Sequence, residues 1–225
     1  MNHEKEYFKK VAEYGQLVIL AGPDAVGRRT VLRQYLAQHP NATQCTTVTT
    51  REPRENEVDG REHFFISHKE FDQMIRTHQL IDYHYYKRNG YDTPIKPILD
   101  ARAAGHNVLL LEDVEDAMRV RSRIPDCTLI FLMSPTWDEL EERIRARHGQ
   151  DPEALNAHIL HAQEQILCAG QFDYILINDC VEKTVRRLGE IIHGNRYSRN
   201  SMKAFVESYI ESEIHSDVAD ILNQL

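Results

Sequence analysis

The sequence is short of cysteine, of long apolar runs and of basic charge. Its four cysteines, Cys45, Cys127, Cys168 and Cys180, form no close pair and show no zinc-ligand spacing. A disulfide framework is therefore without support, and the thiols are read as reduced. The longest apolar stretches, such as Val108 to Leu111 and Leu129 to Met133, fall far below a membrane span. Met1 to Lys10 is too polar and charged for a secretory leader. These absences point to a cytoplasmic chain with no membrane partner. With 27 basic against 35 acidic residues the net charge is −8, which disfavours a nucleic-acid surface. An anionic ligand must then be held by a local cluster of basic groups. What is present is ordinary for a folded protein: 41% hydrophobic and 28% charged residues argue against extensive disorder. A length of 225 residues suits one core plus an appendage.

Apolar runs of strand length alternate with helical patterns. Leu17 to Ala21, Val108 to Leu111, Thr128 to Met133 and Tyr174 to Ile177 read as buried parallel strands, and Val31 to Gln38, Ile95 to Ala104, Trp137 to Ala146 and Glu182 to Ile192 as helices. That alternation predicts an α/β fold, a parallel sheet with helices on both faces. Residues 46–93 break the rhythm with the charged turn Glu55 to Gly60 and the pair Phe64 and Phe65, and read as a small inserted lobe. From Asn195 the composition changes. Ser201 is the expected cap of a last amphipathic helix carrying Phe205, Tyr209, Ile210, Ile214, Val218, Ile221 and Leu225, whose apolar stripe either packs on the domain or pairs two copies of the chain.

After the first apolar strand comes Gly22-Pro23-Asp24-Ala25-Val26-Gly27-Arg28-Arg29-Thr30, with the spacing of a phosphate-binding loop that opens a helix. Glycine is needed where backbone N–H groups approach phosphate closely, and the helix offers its positive end. Three positions depart from the usual loop. Arg28 stands where lysine is usual, Arg29 where a hydroxyl would hold Mg²⁺, and Thr30 is displaced by one place.

Thr49-Thr50-Arg51-Glu52-Pro53-Arg54, followed by Glu57-Val58-Asp59-Gly60 and Phe65, resembles the guanylate kinase signature. Similarity continues through Asn89-Gly90-Tyr91, the strand ending at Asp113, Arg143 to Arg147, Phe172-Asp173-Tyr174 and Asn178-Asp179, covering roughly residues 16 to 193. The resemblance implies a P-loop kinase-like core (residues 1–194) with a GMP-binding lobe and a helical lid over about 143–165, the tail 195–225 lying outside. It also implies transfer of the ATP γ-phosphoryl group to GMP with Mg²⁺, for which no dedicated protein ligand is evident.

Carried over residue by residue, the resemblance implies base contacts from Thr47, Asp82, Thr93 and Asp113. A carboxylate can accept both donors of guanine's pairing edge and would repel the bare acceptor of adenine. Asp82 replaces a glutamate of the family, and Thr47 and Thr93 stand where serines are common. The GMP phosphate would meet Arg51, Arg54 and Tyr91, with His63 in place of a family tyrosine. Arg51, Arg143 and Arg147 would neutralise the transferring group with Arg28, and His158 occupies the place of a third lid arginine. The ATP phosphates would lie on Gly22, Ala25, Gly27, Arg28, Arg29 and Thr30. His158 and His161 lie one helical turn apart with His148 nearby, but no carboxylate or cysteine in the sequence completes a metal set, and they read as surface histidines.

The substitutions cluster on the ATP side, at Ala25, Arg28, Arg29 and His158, while the GMP side keeps most of its chemistry. Two readings follow: a guanylate kinase with weakened transfer, or an inactive guanylate kinase-like module that binds GMP or protein. Scaffold modules of the second kind lose the loop's glycine spacing, whereas Gly22 and Gly27 persist here, which favours the enzyme.

Overall fold

The computed structural model describes residues 14–55, 57–61, 63–81, 83–149, 152–199, 201–203 and 206–207. Its centre is a five-stranded parallel sheet in the order β2–β7–β1–β8–β9, formed by Ala42–Gln44 (β2), Asn107–Leu111 (β7), Leu17–Ala21 (β1), Thr128–Met133 (β8) and Tyr174–Ile177 (β9). Every residue of β1 is buried, as expected of a central parallel strand covered on both faces. Period-two alternation splits its side chains between two cores. Val18 and Leu20 face one core with Leu109, Ile130 and Leu132, and Leu17, Ile19 and Ala21 face the other with Val108, Leu110 and Leu129.

The first core is closed by Arg28–Gln38 (α1), Trp137–His148 (α5), Pro152–Leu167 (α6) and Val181–Asn195 (α7), through residues such as Val31, Leu140, Leu155 and Leu188. The second is closed by Ile95–Ala103 (α3) and Val114–Arg123 (α4) through Ile98, Ala117 and Val120. Three of the four expected core helices begin earlier or run longer than the sequence pattern suggests. Polar bonds tie the end of α7 to the sheet. Gln16 Nε2 donates to the Ile192 carbonyl at 2.6 Å, and Asn195 Nδ2 donates to Gln16 Oε1 at 2.9 Å and Thr128 Oγ1 at 2.7 Å.

The inserted lobe is a four-stranded mixed sheet in the order β4–β3–β6–β5, made of His63–Phe65 (β4), Thr47–Thr49 (β3), Asn89–Asp92 (β6) and His84–Tyr86 (β5). Helix α2, His68–Arg76, packs Phe71 beneath it with Val48 and Leu80. This helix starts from a complete capping box, in which the Ser67 hydroxyl accepts from the Glu70 N–H and the Glu70 carboxylate accepts from the Ser67 N–H.

Ser198, and not Ser201, caps the helical residues that follow α7. Its hydroxyl accepts from the Ser201 N–H at 3.2 Å, while the Ser201 hydroxyl donates back to the Asn195 carbonyl at 2.8 Å. The apolar stripe expected at Phe205, Tyr209, Ile210, Ile214, Val218, Ile221 and Leu225 lies outside the described residues. Among the described residues, no helix is long and apolar enough to cross a membrane.

Candidate active site

β1 delivers the chain to Gly22 at φ +144, where an added Cβ would sit 2.3 Å from the Leu132 carbonyl oxygen of β8. Only glycine fits there, so the loop leaves the sheet pressed against it. At the far end Gly27 adopts φ +99, and a Cβ would meet Asn178 Nδ2 at 2.6 Å. That amide donates to the Val26 carbonyl at 2.8 Å, and Asn178 Oδ1 accepts from the Thr184 hydroxyl at 3.1 Å. A buried asparagine therefore clamps the loop from beneath. Gly27 caps α1 without a side chain and its carbonyl takes the Thr30 N–H, leaving the N–H groups of Arg28 and Arg29 and the positive helix end for an anion.

Around this loop lies a cleft of about 670 Å³ lined by Ala25, Gly27, Arg28, Arg29, Thr30, Asp113, Arg143 and Arg147, among others. Arg28 turns toward the end of β7, donating to the Glu112 carbonyl and pairing with Asp113 Oδ1 at 3.1 Å. Arg29 and Thr30 are exposed. On α5, Arg143 reaches Ser134 Oγ at 3.5 Å and Glu139 Oε2 at 3.3 Å. Arg147 Nη1 lies 2.7 Å from Asp24 Oδ1.

His148 Nε2 lies 2.7 Å from the other oxygen of Asp24, and His158 Nδ1 is 3.9 Å from that same oxygen. The two imidazoles stack with centroids 3.7 Å apart. Burial would raise the Asp24 carboxyl, but hydrogen bonds from His148 and the Ala25 N–H, with the charge of Arg147, hold it below the ordinary carboxylate range. This corrects the reading of His148 and His158 as surface groups with no carboxylate. The missing partner sits 124 residues before His148, on the loop after β1. His161 stands apart, 3.8 Å from Glu164 Oε2.

A second cleft, of about 900 Å³, opens between the core and the lobe, and Thr47, Arg51, Arg54, His63, Tyr91 and Thr93 all line it. The structure thus brings together six residues that the family resemblance assigns to one ligand. Thr47 Oγ1 and His63 Nδ1 are 2.6 Å apart. The Arg51 guanidinium is met by Glu57 through two bonds of 2.6 and 2.7 Å, the fork geometry that a phosphate uses. These bonds, with the Arg54 N–H, hold the Glu57 carboxyl down at about 2, so the pair survives until pH falls through that value. Asp82 lies outside the described residues.

Asp113 is not among the residues of this second cleft. It N-caps α4 in the phosphate-side cleft, its side chain 61% exposed and paired with Arg28. Its neighbour Glu112 lines both clefts, its carbonyl turned to Arg28 on one side and its carboxyl to Thr93 on the other. Sequence reasoning missed Glu112. Thr93 Oγ1 donates to Glu112 Oε1 at 3.2 Å. Arg29, Leu111 and Asp116 also line both clefts, so the two spaces meet along this wall.

Burial, then the charge of Asp116, raises the Glu112 carboxyl to about 8; the Thr93 bond opposes the rise, and Asp92 and Asp113 add to it. Between the unfolded carboxyl's 4.5 and about 8, the unfolded chain has lost this proton and the folded chain has kept it. Glu112 therefore lowers stability as pH rises through that window, by at most about 1.4 kcal/mol per pH unit. Glu112→Gln should remove this slope, so urea unfolding at pH 5, 6.5 and 8 should show the variant gaining on the native chain as pH rises. Parallel pH profiles would overturn the assignment.

The sequence profile described as guanylate kinase matches residues 14–195. A guanylate kinase of Trichodesmium erythraeum is 35% identical over 178 residues, covering 79% of this chain and 96% of its own. A guanylate kinase of Nocardia farcinica is 39% identical over 178 residues, covering 77% of this chain and 91% of its own. The crystal structure of guanylate kinase from Anaplasma phagocytophilum superposes with a TM-score of 0.66 at 23% identity, over 89% of this chain and 95% of that one, a likeness of fold. On the profile match and these identities, the chain belongs to the guanylate kinase family.

Proposed function

We propose that this chain transfers the γ-phosphoryl group of ATP to GMP, giving GDP and ADP. The observation that carries the reading is the junction of the two clefts. One is floored by a glycine-bounded loop at a helix N-terminus, the other is lined by Arg51, Arg54 and Tyr91, and they share a wall at Arg29 and Glu112. An anion bound in each cleft would be brought end to end, which is what an in-line transfer needs.

The base would lie toward Thr47, Thr93 and Glu112, with Asp82 added by the family resemblance alone, and its phosphate toward Arg51, Arg54 and Tyr91. Arg143 and Arg147 would face the transferring group. Mg²⁺ fits this arrangement as a companion of ATP. It needs only one or two protein oxygens beside phosphate and water, and the phosphate-side cleft offers Thr30, Asp113 and Asp116. When bound it would neutralise charge on the phosphate oxygens. Arg28 contributes its cation from the side, engaged by Asp113 and the Glu112 carbonyl, a commitment that supports slower transfer than an unencumbered lysine gives.

The test is an ADP-release assay with ATP and Mg²⁺ in three arms: GMP, AMP and no acceptor. Release is expected to depend on GMP, to be far weaker with AMP, and to turn over below roughly 10 per second, an ordinary enzyme rate. Equal release in all three arms would sink the kinase reading. GMP-dependent turnover at or above that rate would keep it and overturn only the slowing.

A further inference from the structure

The cluster of Asp24, His148 and His158 is not used by the transfer described above. Asp24 belongs to the phosphate loop, His148 ends α5 and His158 lies within α6, so three elements converge on one point. A ligand atom from each lies within 4.8 Å of the other two. We propose that these three residues form a binding site for a transition-metal dication of the Zn²⁺ or Co²⁺ type, bridging the phosphate loop to the lid.

The donor set decides the class of ion. Two imidazole nitrogens and one carboxylate oxygen suit Zn²⁺ and Co²⁺, whereas Mg²⁺ takes oxygens almost alone. The spacing is close to what such an ion needs. Ligands about 2.0 to 2.1 Å from a tetrahedral centre stand roughly 3.3 Å from one another. Here the oxygen-to-nitrogen separations are 2.7 Å for His148 and 3.9 Å for His158, on either side of that value. The two half-buried rings stack at 3.7 Å and 20° from parallel, so uptake of the ion requires both to turn out of the stack until their in-plane lone pairs converge beside Asp24 Oδ2.

The outer contacts are also arranged for it. Asp24 uses Oδ1 for the Ala25 N–H at 2.8 Å and for Arg147 at 2.7 Å, which fixes the carboxylate and leaves Oδ2 turned to both rings. Ligating carboxylates are commonly held by such second contacts. Three protein ligands leave a fourth position for water or a phosphate oxygen.

If the kinase reading holds, the site has a consequence for the lid. His158 stands where the family resemblance places an arginine, and an ion held there returns positive charge to that position. The binding itself does not depend on that reading.

The experiment is a titration of the metal-stripped, nucleotide-free chain with Zn²⁺ by calorimetry and with Co²⁺ by visible absorption. Mg²⁺ serves as the contrast. One Zn²⁺ per chain is expected, with a tetrahedral Co²⁺ spectrum that Zn²⁺ displaces and Mg²⁺ does not. His158→Arg and His148→Gln should each weaken uptake by about tenfold or more, while His161→Ala should leave it unchanged. Circular dichroism of each variant separates a lost site from a lost fold. No stoichiometric uptake, or native affinity in both His158→Arg and His148→Gln, would overturn the proposal. Intact Zn²⁺ binding in a chain that releases no ADP with GMP would count against the kinase reading alone.

Discussion

Replacing Arg143 by alanine is expected to lower kcat by roughly a hundred- to a thousandfold, with the KM for GMP held within a small factor. The guanidinium lines the phosphate-side cleft and is loosely kept there, by Ser134 Oγ at 3.5 Å and Glu139 Oε2 at 3.3 Å. Bonds of that length hold a side chain in place without consuming its capacity to pair. Its charge then counts most where charge spreads over the oxygens of the moving phosphoryl group, and an interaction made mainly in the transition state appears in kcat. Arg147 is a weaker candidate for the same role, because Asp24 already takes one of its nitrogens at 2.7 Å. Arg143→Lys should recover part of the rate by keeping a point charge without the planar fork. Steady-state kinetics with GMP varied at saturating ATP give both parameters. A rise in the GMP KM with kcat unchanged would move Arg143 from transfer to binding.

Most of the sheet was legible because β1, β7 and β8 are continuous apolar runs, as strands buried on two faces must be; β9 carries the same kind of run but is an edge strand and not the buried one expected, with Ile175 and Ile177 about half exposed. The other edge strand, β2, was not legible, since Ala42-Thr43-Gln44 has no apolar pattern and takes its place by pairing with β7. Helix α2 carried a readable signal that the lobe's irregularity obscured: Ser67 followed three residues later by Glu70 is a capping box. The acceptor cleft was legible as a cluster because Arg51 and Arg54 share one contiguous motif, and the pairing of β3 with β4 and β6 brings His63 and Tyr91 beside it.

What sequence could not give was orientation and long-range company. Glu112 and Asp113 are adjacent acids at a strand end, and which faces the acceptor cleft depends on a one-residue phase of the pleat. Asp24 meets His148 and His158 only because β1 and β8 are neighbours in the sheet. The loop after β1 and the helices after β8 then rise from the same end. No local spacing announces such a meeting.

Arg51→Ala should raise the KM for GMP by about a hundredfold, the second large effect expected at this site. Thr50 and Gly90 exchange two bonds across β3 and β6, Thr50 N–H to the Gly90 carbonyl at 3.1 Å and Gly90 N–H to Thr50 Oγ1 at 2.8 Å, so Arg51 is delivered beside Tyr91 by the lobe's own pairing. Its guanidinium stacks over Phe65, 5.4 Å from the ring centroid, and faces Glu57 with both terminal nitrogens. A phosphate that displaces Glu57 inherits that two-pronged geometry ready-made. Two charge-assisted bonds at about 1.5 kcal/mol each amount to roughly 3 kcal/mol, and about 1.4 kcal/mol is a factor of ten. The loss should exceed that of Arg54→Ala, because Arg54 makes no fork of its own among the described residues. Glu57→Gln gives the complementary result: with the competing carboxylate gone, GMP should bind more tightly. Calorimetry with GMP alone reads binding without turnover. Unchanged affinity in Arg51→Ala would mean that the phosphate is held elsewhere in the cleft, and the acceptor geometry argued from these residues would fall.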